Sequence, residues 1–166
     1  MPTITFLCYG NICRSPFAEF LARQMAVSSG LTSFSFTSAG VGATAGTPCP
    51  KPAILAGGRF GVDLTPHRAK HVQGMPFEPE DLLIAMDRYV FGKLAQDLSG
   101  RLDDVRGPGN AALRLMLQDL PSSGEPGPVI LDVPDPMGMG LDAYLSCYKL
   151  LVDSVTGLLD RLAKER

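Results

Sequence analysis

The chain opens on an apolar, β-branched run, Thr3–Leu7 (TITFL), which predicts a strand. A turn containing Gly10 follows, and then Ser15-Pro16, the N-cap and N1 pair of a helix start, with Glu19 adding negative charge near the first turn. Phe17, Phe20, Leu21 and Met25 recur at helical spacing until Ser28-Ser29-Gly30 ends the pattern. Phe34–Ser38 alternates apolar and polar residues and reads as a second strand. Residues 39–52 are rich in Gly, Pro, Ala and Thr, show no period, and read as a long loop. Ala53–Phe60 predicts a short helix ended by Gly61, and Pro66–Val72 a further helical turn. Leu82–Met86 (LLIAM) is a compact apolar run with charged flanks, as in a parallel strand buried on both faces. Tyr89–Leu98 reads as a helix.

Between 99 and 134 the pattern is weakest. Leu113, Leu115 and Leu117 alternate with Arg114, Met116 and Gln118 as a strand would, while Ala111–Leu120 also admits a helix; Val129–Leu131 is a further strand candidate. From Leu141 to Ala163 the apolar positions Tyr144, Tyr148, Leu151, Val155, Leu158 and Leu162 keep a 3.6-residue period, which predicts a long amphipathic C-terminal helix. Strands alternating with helices give an α/β class with a parallel sheet, in which sites lie beyond the carboxyl ends of the strands.

No repeat or long linker divides the 166 residues, so 1–166 is expected to form a single domain. The chain is 45% apolar and 19% charged, a globular rather than disordered composition. A net charge of −2 gives no general grip on nucleic acid or an anionic membrane, so neither is an expected partner. No apolar run approaches the ~20 residues of a membrane span, and membrane insertion is not expected. The start, MPTITFLCYG, has neither a charged leader nor a long apolar stretch, so a cytoplasmic location is the expectation. Four cysteines are too few for a disulfide scaffold at this length.

The loop after the first strand, Cys8-Tyr9-Gly10-Asn11-Ile12-Cys13-Arg14-Ser15, carries the chemistry. A tight loop between a strand and a helix start turns its N–H groups inward and adds the helix dipole, which makes a cradle for a tetrahedral oxyanion built from Tyr9 to Cys13 and Ser15. Gly10 permits backbone shapes that other residues resist, and Asn11 tolerates the left-handed region. Arg14 can offer parallel donors to two phosphate oxygens. Cys8, at the strand end beside that guanidinium and helix terminus, is placed as a nucleophilic thiolate. Alone, Cys8 reads equally well as a buried structural thiol. A zinc site on Cys8 and Cys13, or on His67 and His71, lacks further ligands. Asp135-Pro136, stiffened by Pro134 and Pro136, offers an acid for a leaving group, although the bare dipeptide is also a turn signal.

CYGNICRSP at Cys8–Pro16, with Asp135-Pro136 far downstream, resembles the low-molecular-weight protein tyrosine phosphatases. Ser38-Ala39-Gly40, His67-Arg68-Ala69-Lys70 and Met86-Asp87 resemble landmarks of that family in the same order, over nearly the whole chain. The resemblance implies a four-stranded parallel twisted sheet with helices on both faces, the phosphotyrosine protein phosphatase I-like fold. It implies hydrolysis of phosphotyrosine in proteins through a cysteinyl-phosphate, with no metal or cofactor, and a tyrosine kinase or its targets as partners. Cys8 would be the nucleophile, Arg14 the phosphate clamp and Asp135 the general acid, with Asp132 its rival. Ser15 would stabilise the leaving thiolate; Asn11, Ser38 and His67 would hold the loop; and Cys13 would form a reversible disulfide with Cys8 under oxidation.

The chain departs from the family where two aromatics usually follow the Asp-Pro: here stand Met137 and Gly138. That form resembles family members acting on phosphoarginine, whereas Ile12 fits the tyrosine branch, and Tyr9 could restore lost ring contact. A protein-arginine phosphatase is therefore one alternative. Arsenate reduction, which needs a relay of further cysteines, and a non-catalytic phosphate-binding module are the others.

Overall fold

The computed structural model describes residues 1–96, 104–119 and 132–165. Four strands, β1 (Thr3–Cys8), β2 (Ser35–Gly40), β3 (Leu82–Ala85) and β4 (Ala112–Leu115), form one sheet in the order β2-β1-β3-β4, every pair parallel. The helices are α1 (Arg14–Ser28), α2 (Lys51–Arg59), α3 (Arg88–Leu94) and α4 (Leu141–Lys164). β1 is central and buried on both faces, so its alternation separates two cores. Ile4, Phe6 and Cys8 face α1, α2 and α4, while Leu7 joins Leu83, Ala85, Leu113 and Leu115 against α3. Helices thus cover both faces, as the sequence predicts.

The chain leaves β1 toward β2 on one side and meets β3 on the other. The carboxyl end of β1 is therefore the switch point of the sheet, where the divergent connections open a crevice. α4 closes the α1 face: Tyr148 stacks on Phe17, ring centres 3.9 Å apart, and its hydroxyl donates to the Cys13 carbonyl at 2.8 Å. The longest helix is thereby fastened to the loop that follows β1.

Several predicted elements are corrected. α1 begins at Arg14, with Cys13 at the N-cap position and no side-chain cap. Ser15 and Pro16 lie inside the first turn, where the missing proline N–H costs nothing, and the Ser15 hydroxyl turns instead to Cys8. Glu19 is not a dipole charge on the surface; it is 3% exposed and bound to Ser38 and Arg23. Pro66–Val72 is no helix: its backbone extends β2, with the Gly40 N–H donating to the Lys70 carbonyl and the Val72 N–H to the Gly40 carbonyl. α2 starts two residues before its predicted Ala53. The ambiguous stretch divides, Ala112–Leu115 being strand and Met116–Asp119 a 3-10 turn. Leu98, Leu120 and Val129–Leu131 lie outside the described residues.

Gly40 ends β2 opposite Cys8. A Cβ there would stand 2.4 Å from the Tyr9 carbonyl oxygen and 2.9 Å from the Asn11 nitrogen, both backbone atoms that cannot swing away. Gly40→Ala should therefore lower the unfolding free energy by about 1–3 kcal/mol, the range for overpacking, read as a lower urea midpoint at unchanged slope. An unchanged midpoint would mean that the loop yields freely.

Candidate active site

The loop between β1 and α1 is organised around Asn11, which is fully buried with φ at 54°. Gly10 does not take the left-handed conformation; Asn11 does. Every polar group of Asn11 is engaged. Its side-chain nitrogen donates to Ser15 Oγ at 2.9 Å and Ser38 Oγ at 2.8 Å, and its Oδ1 accepts the Lys70 N–H at 2.8 Å. Its carbonyl accepts from His67 Nε2 at 2.7 Å, which makes that nitrogen the protonated one. Its own N–H points at Cys8 Sγ, 3.2 Å away. The Ser38 hydroxyl donates to Glu19 Oε2 at 2.5 Å, a buried carboxylate also held by Arg23. His67 is 4% exposed, and burial lowers its pKa, which suits a neutral ring with one donor spent on a carbonyl.

Cys8 Sγ lies at the floor, 2.9 Å from Ser15 Oγ. When the sulfur is an anion, the Ser15 hydroxyl and the Asn11 N–H both donate to it. Arg14 is 3% exposed, and its Nη1 donates to Asp87 Oδ2 at 2.7 Å and the Val133 carbonyl at 2.9 Å. Its burial opposes the charge, but Cys8, Asp87 and Asp135 more than offset that and raise its pKa. Arg14 also lines the cleft described below. Asp87 does two jobs, since its other oxygen caps α3 through the Val90 N–H at 2.8 Å.

Asp135 faces Arg14 across the cleft, Oδ2 at 3.6 Å from Nη2, and is 52% exposed. Asp132 is turned away: Arg88 grips both its oxygens, and those hydrogen bonds lower its pKa. Of the two carboxylates in this loop, only Asp135 lines the cleft. That cleft encloses about 310 Å³ between Tyr9, Gly10, Ile12, Thr44, Thr47 and Met137, over Cys8, Cys13 and Arg14. Cys13 Sγ lies 3.2 Å from the Tyr144 hydroxyl, and burial pushes its pKa up to about 11.

The sequence singled out Cys8, Tyr9, Gly10, Asn11, Ile12, Cys13, Arg14, Ser15, Ser38, His67 and Asp135, and all of them gather at this one place. It gave no role in the site to Asp87, Lys70, Glu19 or Tyr148, reading them only as landmarks, a first-turn charge and a helix-face residue. Asp87 carried a readable signal, an N-cap residue directly after an apolar strand. The Lys70 contact runs through backbone and leaves no residue-type signal. Cys49 and Cys147, far apart in sequence, share one core cluster with Cys8 and Cys13, and burial pushes each thiol up to about 12.

A family model described as low molecular weight phosphotyrosine protein phosphatase matches residues 3–166. A probable low molecular weight protein-tyrosine-phosphatase, EpsP, of Ralstonia nicotianae is 37% identical over 99 residues. That match covers 60% of this chain and 62% of the relative, so the chain spans less than two thirds of that protein's length. A low molecular weight protein-tyrosine-phosphatase of Streptomyces coelicolor is 32% identical over 162 residues, covering 94% of this chain and 90% of that protein. Among solved structures, the tyrosine phosphatase Wzb from Escherichia coli K30 in complex with sulphate superposes with a TM-score of 0.71 at 27% identity. The superposition covers 96% of this chain and 97% of that one. The chain therefore belongs to the low molecular weight phosphotyrosine protein phosphatase family.

Proposed function

We propose that the chain is a cysteine-dependent phosphatase that removes phosphate from phosphotyrosine in proteins. The observation that carries this reading is Cys8 Sγ at the floor of an arginine-lined cleft, within reach of two donors, the Ser15 hydroxyl and the Asn11 N–H. Arg14 Nε and Nη2, with the N–H groups of the loop and the start of α1, take the non-bridging phosphate oxygens. The Cys8 sulfur attacks phosphorus and the bond to the tyrosine oxygen breaks. Asp135 delivers its proton to that oxygen as tyrosine leaves. Asp135, now a carboxylate, takes a proton from water; the water oxygen attacks phosphorus, the P–S bond breaks, and phosphate departs. The sulfur regains its anion against the donors of Ser15 and Asn11. Asn11, Ser38 and His67 act by holding the loop in shape.

The phosphate is one that a tyrosine kinase installs, and a cytoplasmic location fits a substrate pool of that kind. Among the described residues no helix is long and apolar enough to cross a membrane. Cys13 is assigned a protective role: peroxide oxidises Cys8 to a sulfenic acid, and Cys13 displaces water from it to form a disulfide, which thiols then reduce. Cys49 and Cys147 are 5% and 4% exposed, with thiols neutral at ordinary pH, which disfavours a relay for arsenate reduction. One feature favours phosphoarginine instead, the Met137-Gly138 pair where aromatics would wall a tyrosine ring. Ile12 counts against it, because its apolar side chain offers a guanidinium no acceptor.

Phosphate release from matched phosphotyrosine and phosphoarginine peptides tests the reading. The expected result is release from phosphotyrosine that Cys8→Ser abolishes. Preference for phosphoarginine would keep the chemistry and change the substrate; a phosphopeptide bound but never hydrolysed would make this a binding module. Asp135→Asn should cost about 10²–10⁴-fold in rate for esters with poor leaving groups and far less for nitrophenyl phosphate. An equal loss across leaving groups would remove Asp135 from the acid role.

A further inference from the structure

Tyr9 walls the cleft but does not end in it. It is 51% exposed, and its ring stands where a Gly42 Cβ would be, 2.5 Å from Tyr9 Cζ. The Gly42 N–H also donates to the Tyr9 carbonyl at 2.9 Å, so the residue is held from both ends. Beside it lies Tyr89, 58% exposed, with ring centres 6.2 Å apart and planes tilted by 50°. The Lys93 ammonium lies 5.4 Å from the centre of the Tyr89 ring, one turn further along α3. Two neighbouring, half-exposed tyrosines are an unusual use of surface, since each offers a large rigid face at little entropic cost on binding. Nothing else in the described structure uses them.

The charge has a direction as well. Arg88, on the same exposed part of α3, is committed to Asp132. Lys93 makes no ion pair among the described residues, and its only charge contact is the face of Tyr89. From the cleft mouth outward, a ligand meets an aromatic wall, a second ring and then an unspent cation.

We propose that Tyr9, Tyr89 and Lys93 form a subsite continuous with the cleft, which takes an acidic side chain within about three residues of the phosphotyrosine, at about 3.3 Å per residue of extended peptide. The proposal rests on the reading that the cleft takes phosphotyrosine. Tyr9 packs the flank of the substrate ring, Tyr89 supports the next stretch of peptide, and Lys93 pairs with the carboxylate.

The test compares two phosphotyrosine peptides that are identical except for Glu or Gln at the positions flanking the phosphorylated residue. In the native chain at low salt, kcat/KM should favour the Glu peptide by about two- to five-fold, the worth of an exposed ion pair, and the preference should fade as salt screens it. Lys93→Gln should bring the ratio to one, and Lys93→Glu should invert it. Tyr9→Ala should raise KM for both peptides. Equal rates in the native chain, or a ratio that survives Lys93→Gln, would overturn the subsite and leave the phosphotyrosine reading standing. No release from either peptide would overturn that reading and the subsite with it.

Discussion

One buried asparagine holds the site together. At φ 54° Asn11 occupies a conformation that costs an L residue about 1–2 kcal/mol, less for asparagine than for most. It makes five hydrogen bonds with residues from β1, β2, α1 and the segment beside β2. At roughly 0.5–1.5 kcal/mol net for each bond, these together outweigh the strain. The strain has a purpose. The left-handed φ turns the chain just after an N–H that points at the sulfur of Cys8 and carries the Asn11 carbonyl to His67, so the loop closes around the sulfur.

The fold makes that closure affordable by putting it at the switch point. β1 lies inside the sheet with Phe6 and Leu7 packed on opposite faces, so Cys8 stands on a strand end that cannot shift without disturbing both cores. β2 supplies Ser38 and the close approach of Gly40, and β3 leads directly into Asp87, which ties Arg14 to the start of α3. α4 adds Tyr148 from the far side. Each neighbour of β1 contributes at least one fixed contact, and Arg14 is aimed from two directions before any substrate arrives. Such preorganisation removes reorganisation from the reaction itself.

Much of this was legible in the sequence, for a definable reason. The strand of β1, the run of β3 and the long period of α4 are buried on well-defined faces, and burial writes itself into the pattern of apolar residues. The Cys8–Ser15 loop was legible through residue types that chemistry demands. What stayed hidden were contacts made through backbone and over long sequence distances. Pro66–Val72 looked helical because its residue types allow a turn, but its backbone groups are claimed by the end of β2. Ser15-Pro16 carried a helix-start signature, yet the helix begins two residues earlier, and the Ser15 hydroxyl turns to the sulfur instead of capping. Gly10 and Asn11 were both readable as candidates for unusual backbone; that the asparagine takes it rests on side-chain partners distant in sequence. The sequence distance between Cys49 and Cys147 likewise says nothing of their sharing one core.

The two carboxylates of the loop before α4 show how environment divides labour between like groups. Asp132 and Asp135 are three residues apart, and composition alone does not separate them. Arg88 holds Asp132 as a spent anion, which pins the loop to the start of α3. Asp135, held between prolines, accepts the Met137 N–H on one oxygen at 3.1 Å and turns the other toward Arg14. A group locked in a bidentate ion pair cannot give and retake a proton without losing that pair. Asp135, half-exposed, with one oxygen 3.6 Å from Arg14 and the other on a backbone N–H, has no such pair to lose, as the proposed acid role requires. The same logic runs across the rim, where Arg88 is consumed in structure and Lys93 is left with its charge unspent. On this chain, groups available for function are those that packing leaves underused, and the structural ones are those whose partners are already complete.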